Sequence, residues 1–318
     1  MREYEHRLKK HMHFQFNLIG FAFLCLCAVG AAGHFFKEAV WMQYHDVIDI
    51  FAYGFVDNLY QIAIKLIQSF VPFFLVSFLL KIKNRQIWSK AKIKPLNQFA
   101  LIFLGLAVYL ILSAATSGLI TLLTSKNVGV ASIPSSLVSN FLEVQWTYLF
   151  YVIVLCPLAE EYIYRGVVLQ CFARYGNRFA IVASSFLFAL SFGRLQTALP
   201  GFFLGMFLAV IALYYQSIRP VFWIRVGVAI LSVAEMLIPL SQVWIFGVIC
   251  LVSYGISLVF LFVNRYNRLV LKSDADEMLS AKMFCSSVLL VLACVVMVAL
   301  TYSLPLRQWI EQLISKVI

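Results

Sequence analysis

Long apolar runs separated by short polar segments dominate this chain. A helix that crosses a bilayer needs roughly 20 apolar residues, and nine runs approach or exceed that length. They cover residues 13–33, 59–80, 98–123, 141–163, 179–193, 197–216, 220–239, 242–263 and 283–304. The stretch 37–57 spreads five charges among aromatic residues, which is typical of an interfacial amphipathic segment. The pattern predicts an all-α polytopic membrane protein with about nine transmembrane helices.

The composition excludes a soluble globular protein. Apolar residues make up 63% of the chain and charged residues 12%, with a mean hydropathy of +0.90. Soluble domains have about 45–50% and 25%. A particle of 318 residues cannot hide so much apolar surface in one core, because a large part of any folded surface stays exposed. The exposed apolar surface is therefore expected to contact membrane lipid.

The formal net charge of +11 could indicate nucleic-acid binding in a soluble protein, but here it has a topological explanation. If the N-terminus is inside, 19 of the 25 lysines and arginines fall in segments on the cytoplasmic side. Five fall on the opposite side, and Lys65 lies within a span. Because basic residues concentrate in cytoplasmic loops, this bias predicts an N-terminus-in topology and no nucleic-acid partner.

One predicted span ends in an unusual cluster of charges, at Glu160, Glu161 and Arg165. Charges within a span are costly, so they are candidates for function. On a helix, Glu161 and Arg165 are four residues apart and face each other, whereas Glu160 points about 100° away toward another helix. The alternative is an ordinary cytoplasmic helix end with interfacial charges.

The segment around these charges resembles the CPBP family of CAAX-processing, bacteriocin-immunity-type (Abi) intramembrane metalloproteases. The resemblance covers about residues 150–232 and rests on four stretches in order. They are Pro157–Gly166 with its Glu-Glu-x-x-x-Arg, Ala180–Leu190, Leu199–Met206, and Ser217–Val221.

This resemblance implies a conical helical bundle with a hydrophilic cavity open to the cytosol. In active members the first glutamate is thought to activate a water, while two histidines and an asparagine or aspartate bind the metal or stabilise the oxyanion. A metal lowers the pKa of bound water toward neutrality, and a carboxylate can accept the proton.

The chain departs from the family pattern at the implied histidines. Counted from Phe188, the second-motif histidine position holds Phe192; counted from Pro220, the third-motif positions hold Arg225 and Ala229. All five histidines precede residue 46. Phenylalanine and alanine offer no ligand atom, and a protonated arginine repels a cation. We therefore expect no metal site and no cofactor, with zinc present only if the protein is an active protease.

Two alternatives concern what takes the place of the missing site. The Arg225 guanidinium is predicted to lie against Glu160 while Arg165 holds Glu161, giving a structural salt-bridge core. The competing arrangement has Arg225 snorkelling to the cytosolic interface. A separate possibility is weak metal binding by His11 and His13, although an interfacial role without a ligand is more common for such a pair.

These observations support three hypotheses about function. The first is a catalytically inactive CPBP-family protein, a scaffold or regulator that binds membrane or cell-envelope partner proteins. The second is an active metalloendopeptidase with an unorthodox ligand set, and the third is a transporter-like protein with a charged cavity.

The expected domains are N-terminal helices over 1–140, a CPBP-like core over 141–239 and C-terminal helices over 240–318. The expected location is the bacterial plasma membrane.

Overall fold

A computed structural model describes residues 2–37, 50–82, 87–88, 93–124, 145–192, 195–237, 248–249, 251–257 and 277–299. Within these ranges the regular structure is helical throughout, without strands. Three long helices come first: α1 (Arg2–Phe36), α2 (Ile50–Leu79) and α3 (Pro95–Thr124). The all-α prediction is confirmed.

The next helical stretch, here called the motif helix, runs through two π-helical segments. It consists of α4 (Gln145–Phe150), π1 (Tyr151–Leu155), α5 (Cys156–Glu161), π2 (Tyr162–Val168) and α6 (Leu169–Ala173). The residues at every junction keep right-handed helical dihedrals, so the backbone turns continuously from α4 to α6. Pro157 lies in the first turn of α5, where its missing N–H is tolerated.

Further described helices are α7 (Asn177–Leu190), α8 (Leu195–Tyr215), α9 (Arg219–Leu237), α10 (Glu277–Ser286) and α11 (Val288–Ala299), and residues 248–249 and 251–257 are helical as well. Helices α10 and α11 meet at a bend of 68° around Ser287. Behind the bend, a Cβ on Gly20 of α1 would come within 2.3 Å of the Leu290 backbone nitrogen. The missing side chain therefore allows α1 and the C-terminal helices to touch backbone to backbone.

Four described helices are long and apolar enough to cross a bilayer, and the bent α10–α11 pair would make five. The four cover His6–Phe36, Val56–Leu79, Pro95–Leu119 and Thr197–Tyr215. The chain is therefore a multi-pass membrane protein. The number nine stays a prediction. The predicted spans 141–163, 179–193 and 220–239 are not among the helices that pass this test, and the predicted spans 242–263 and 283–304 lie partly outside the described residues. Most of the interfacial segment 37–57 lies outside them as well.

Aromatic side chains fill the core between α1, α2, the motif helix and α7. Phe16 packs on Phe172 with ring centroids 5.0 Å apart, and Phe23 packs on Phe73 at the same distance. Helices α7 and α8 approach closely at Gly205, where a Cβ would lie 3.1 Å from atoms of Phe188 and Ser185. This packing surrounds the charged part of the motif helix with α7, α8 and α9.

Candidate functional site

The motif helix presents both glutamates and Arg165 at a change of helical geometry. Glu160 and Glu161 end α5, and Arg165 lies within π2. The facing of Glu161 and Arg165 predicted from their spacing is confirmed: Nη1 of Arg165 donates to Oε1 of Glu161 at 3.3 Å. Its Nε lies 3.3 Å from the other carboxylate oxygen, Oε2. π-Helical turns are rare and often occur at functional sites.

The buried Arg165 side chain contacts both Glu161 of its own helix and the backbone of α8. Its side chain is 1% exposed and that of Glu161 is fully buried. The Nη2 of Arg165 donates to the backbone carbonyl of Gly205 at 3.3 Å, which ties the motif helix to α8. Helices α7 and α8 also approach closely at Gly205, so the same residue serves packing and hydrogen bonding.

Arg225 of α9 pairs with Glu160, as the salt-bridge hypothesis predicts. Its Nη2 donates to Oε2 of Glu160 in a short, charge-assisted hydrogen bond, and its Nε lies 3.5 Å from Oε1 of Glu161. The Arg225 side chain is 10% exposed, so it does not snorkel. The four groups form one neutral network, here called the charge cluster: Glu160, Glu161, Arg165 and Arg225.

Phe188 of α7 supports both cations, a role that the sequence alone did not indicate. Its ring centroid lies 4.2 Å from Cζ of Arg165 and 5.3 Å from Cζ of Arg225. Aromatic faces attract guanidinium groups within about 6 Å. Phe188 carries the second-motif spacing, but nothing in that spacing shows that its ring would contact arginines on two other helices.

Lys65 of α2 is a further cation near the charge cluster, and its interaction with Glu160 was not predicted from the sequence. Its ammonium interacts electrostatically with Glu160 and with the neighbouring Cys156. The position of Lys65 inside a predicted span could have indicated this interaction, since charged residues within spans usually face the interior of the bundle. The Glu160 carboxylate is therefore influenced by positive charge from α2 as well as from α9.

The charge cluster relies on ion pairing more than on well-directed hydrogen bonds. Among the described residues, Oε2 of Glu161 and the Nε atoms of Arg165 and Arg225 are buried without a hydrogen-bond partner. Each of these atoms still lies within 3.5 Å of an opposite charge. Removing one member of such a network would leave its partner as a buried, uncompensated charge. The resulting loss of stability is far larger than the small net stabilisation that an intact buried pair provides.

The other two positions at which the family resemblance implies a motif residue, Phe192 and Ala229, are packed as apolar structure. The Phe192 ring meets Phe188 edge to face with centroids 4.9 Å apart, and it occupies the space that a Cβ on Gly201 would need. Ala229 is half-buried on α9, one helical turn after Arg225. Neither side chain carries an atom that can bind a metal.

The residues present do not fit the zinc that the family resemblance implies. Three of the four carboxylate oxygens of Glu160 and Glu161 contact guanidinium groups. A divalent cation there would have to displace Arg225 or Arg165, and it would meet their positive charges at close range. In the described part of the chain no group of three or more His, Cys, Asp or Glu side chains could hold a metal ion.

His11 and His13 lie on α1 and are engaged elsewhere. The Nε2 of His11 accepts from the Gln15 amide at 2.8 Å, and Nδ1 of His13 accepts from the Asn17 amide at 2.8 Å. The Nε2 of His13 donates to the backbone carbonyl of Ser286 at 3.1 Å. These contacts make His13 part of the junction between α1 and the C-terminal helices.

Comparison with protein families gives one match. Residues 142–231 match the family described as type II CAAX prenyl endopeptidase Rce1-like. Neither the curated proteins nor the solved structures include a significant match to the chain. The matched segment contains the motif helix, α7, α8 and most of α9, and so the whole charge cluster. The chain therefore contains an Rce1-like domain of the CPBP family over residues 142–231.

Proposed function

We propose that the protein is a catalytically inactive CPBP-family member that serves as a scaffold or regulator for membrane or cell-envelope partner proteins in a bacterial plasma membrane. The observation that carries this proposal is the charge cluster. The motif glutamates, which catalysis would need free, are bound by arginines in the folded protein. Helices α7 and α8 contact these arginines and α9 carries one of them, so the three helices enclose the cluster within the domain.

Electrostatics explain why such a site would persist without chemistry. Two carboxylates buried in a bundle need compensating charge, which a metal with its ligands would supply in an active protease. Here Arg225 stands at the position of a motif histidine and supplies a permanent positive charge. The domain can thus remain folded without a metal, and its surfaces remain available for binding.

The main alternative is an active metalloendopeptidase with an unorthodox ligand set. It would require ligands that release Glu160 and Glu161 from Arg225 and Arg165. No histidine follows residue 45, so none exists within residues 142–231. His11 and His13 of α1 have other hydrogen-bond partners. The proposal of a non-catalytic protein is therefore the better supported one.

A peptidase assay tests this proposal. The wild type and Glu160→Gln would be reconstituted in vesicles and given a fluorogenic peptide with a prenylated CAAX end, with and without added zinc. We expect both proteins to match protein-free vesicles, while an Rce1-like protease with the complete motif cleaves the same peptide. Zinc-stimulated cleavage by the wild type that Glu160→Gln abolishes would contradict the proposal.

A further inference from the structure

A largely apolar cavity bordered by basic residues lies between α1 and α10, outside the charge cluster. Its volume is about 520 Å³, and its walls include His6, Lys9, Lys10, His13 and Phe14 of α1 with Met283 of α10. The α1 residues follow helical spacing, so they share one face of that helix. The candidate span of α1 begins at His6, which places the cavity at the start of the apolar segment.

The far wall of the cavity is fixed by directed hydrogen bonds. Asn17 also lines it, and its side-chain oxygen accepts the backbone N–H of Leu289 at 3.0 Å, just after the bend between α10 and α11. The amide nitrogen of Asn17 donates to His13, which donates in turn to the carbonyl of Ser286. These hydrogen bonds fix the position of α1 against the α10–α11 bend, and the two lysines lie at the edge of the cavity.

The charges around the cavity are unbalanced. No carboxylate lines it within the described part of the chain. Glu3, one turn before, is paired with Arg7 at 2.6 Å, and Glu277 on α10 accepts the backbone N–H of Arg178 at 3.3 Å. The surface of the cavity is almost entirely apolar, and the exposed Lys9 and Lys10 stand beside it without an acidic residue in the lining.

The cavity has an apolar wall beside this charge. Phe14 is 60% exposed, and Met283 is half-buried opposite α1. A ligand that suits both parts carries an anionic phosphate next to a hydrocarbon chain. Basic pockets between helices at the cytoplasmic side of a membrane bind anionic headgroups. Lysine is an effective point charge for phosphate, and the exposed Phe14 ring offers an apolar surface on which an acyl chain can pack.

We propose that this cavity is a binding site for an anionic phospholipid, with the headgroup phosphate at Lys9 and Lys10 and an acyl chain against Phe14 and Met283. The site does not depend on the non-catalytic role proposed above. Such a lipid would lie across the junction of α1 with α10, and it would stabilise the docking of the C-terminal helices that Asn17 and Gly20 establish.

Lipid titration followed by native mass spectrometry tests the site. Delipidated full-length protein in nonionic detergent would be titrated with dioleoyl phosphatidylglycerol and, separately, with dioleoyl phosphatidylcholine. We expect the wild type to bind the first phosphatidylglycerol at least tenfold more tightly. The double variant Lys9→Gln/Lys10→Gln should lose this preference and keep its Tm, because both lysines are exposed.

The matched control is Lys81→Gln/Lys94→Gln, which removes two exposed lysines that do not line the cavity. Its affinity should stay within twofold of the wild type. The proposal is wrong if Lys9→Gln/Lys10→Gln binds phosphatidylglycerol as the wild type does, or if the control loses as much affinity. Displacement of the lipid by millimolar inorganic phosphate would instead identify a site for free phosphate and overturn the lipid assignment.

Discussion

Exchanging the charges of Glu160 and Arg225 is expected to restore the folded protein that either single reversal destroys. In Glu160→Arg, three guanidinium groups would surround the remaining carboxylate of Glu161. In Arg225→Glu, three carboxylates would face one arginine. Breaking a buried pair costs about 3–5 kcal/mol, so each single variant should lose most of its folded yield. The double exchange again gives the cluster two carboxylates and two guanidinium groups, so its Tm, measured by thermal unfolding in detergent, should rise well above that of either single variant.

The control for this experiment is the same exchange at an exposed pair. Glu3 and Arg7 form an ion pair with about four-fifths of each side chain exposed. Reversing either of them, or both, should leave Tm unchanged, because exposed ion pairs contribute little to stability. If the Glu160/Arg225 double exchange remains as unfolded as the single variants, the pairing does not hold the bundle together. Single reversals that leave Tm unchanged would contradict it equally.

Replacing Arg165 with methionine is expected to have the second large effect. Arg165→Met keeps the side-chain volume but leaves Glu161 fully buried with only the longer contact to Arg225. It also removes the donor to the Gly205 carbonyl and the cation on the Phe188 ring. We expect a loss of about 3–5 kcal/mol in unfolding free energy. Adding Glu161→Gln should recover part of it, because the uncompensated charge is then gone.

Arg174→Met provides the matched control, since Arg174 directly follows α6 at the end of the same helix. Its Nη2 donates to the backbone carbonyl of Leu80 at 3.0 Å in a partly buried contact. Losing that hydrogen bond should cost about 1–2 kcal/mol. Equal losses of unfolding free energy in Arg165→Met and Arg174→Met would show that the charge cluster stabilises the protein no more than a single partly buried hydrogen bond does.

The sequence was sufficient for the features that depend on local spacing. The apolar runs 59–80 and 98–123 correspond to α2 and α3 to within one residue at the end of α2, because a spanning helix must be apolar over most of its length. The contact of Glu161 with Arg165 followed from a four-residue separation. The contact of Arg225 with Glu160 required the register of the family resemblance, since 65 residues separate them.

Other features depend on tertiary packing and carried no local signal. The π segments of the motif helix have the same apolar composition as ordinary helix, so periodicity did not reveal them. The bend at Ser287 is fixed by Asn17 and His13 of α1, more than 270 residues earlier. Phe188 contacts both arginines because α7, the motif helix and α9 pack together around its ring.

The metal content of the purified protein is the most direct test of the central claim, that an arginine-neutralised cluster stands where the family resemblance implies a metal site. Wild type and Glu160→Gln would be purified in detergent and examined by elemental analysis. We expect no stoichiometric zinc or other transition metal in either protein, and no change in Tm on adding zinc or a chelator. About one metal per chain in the wild type, lost in Glu160→Gln, would contradict the account.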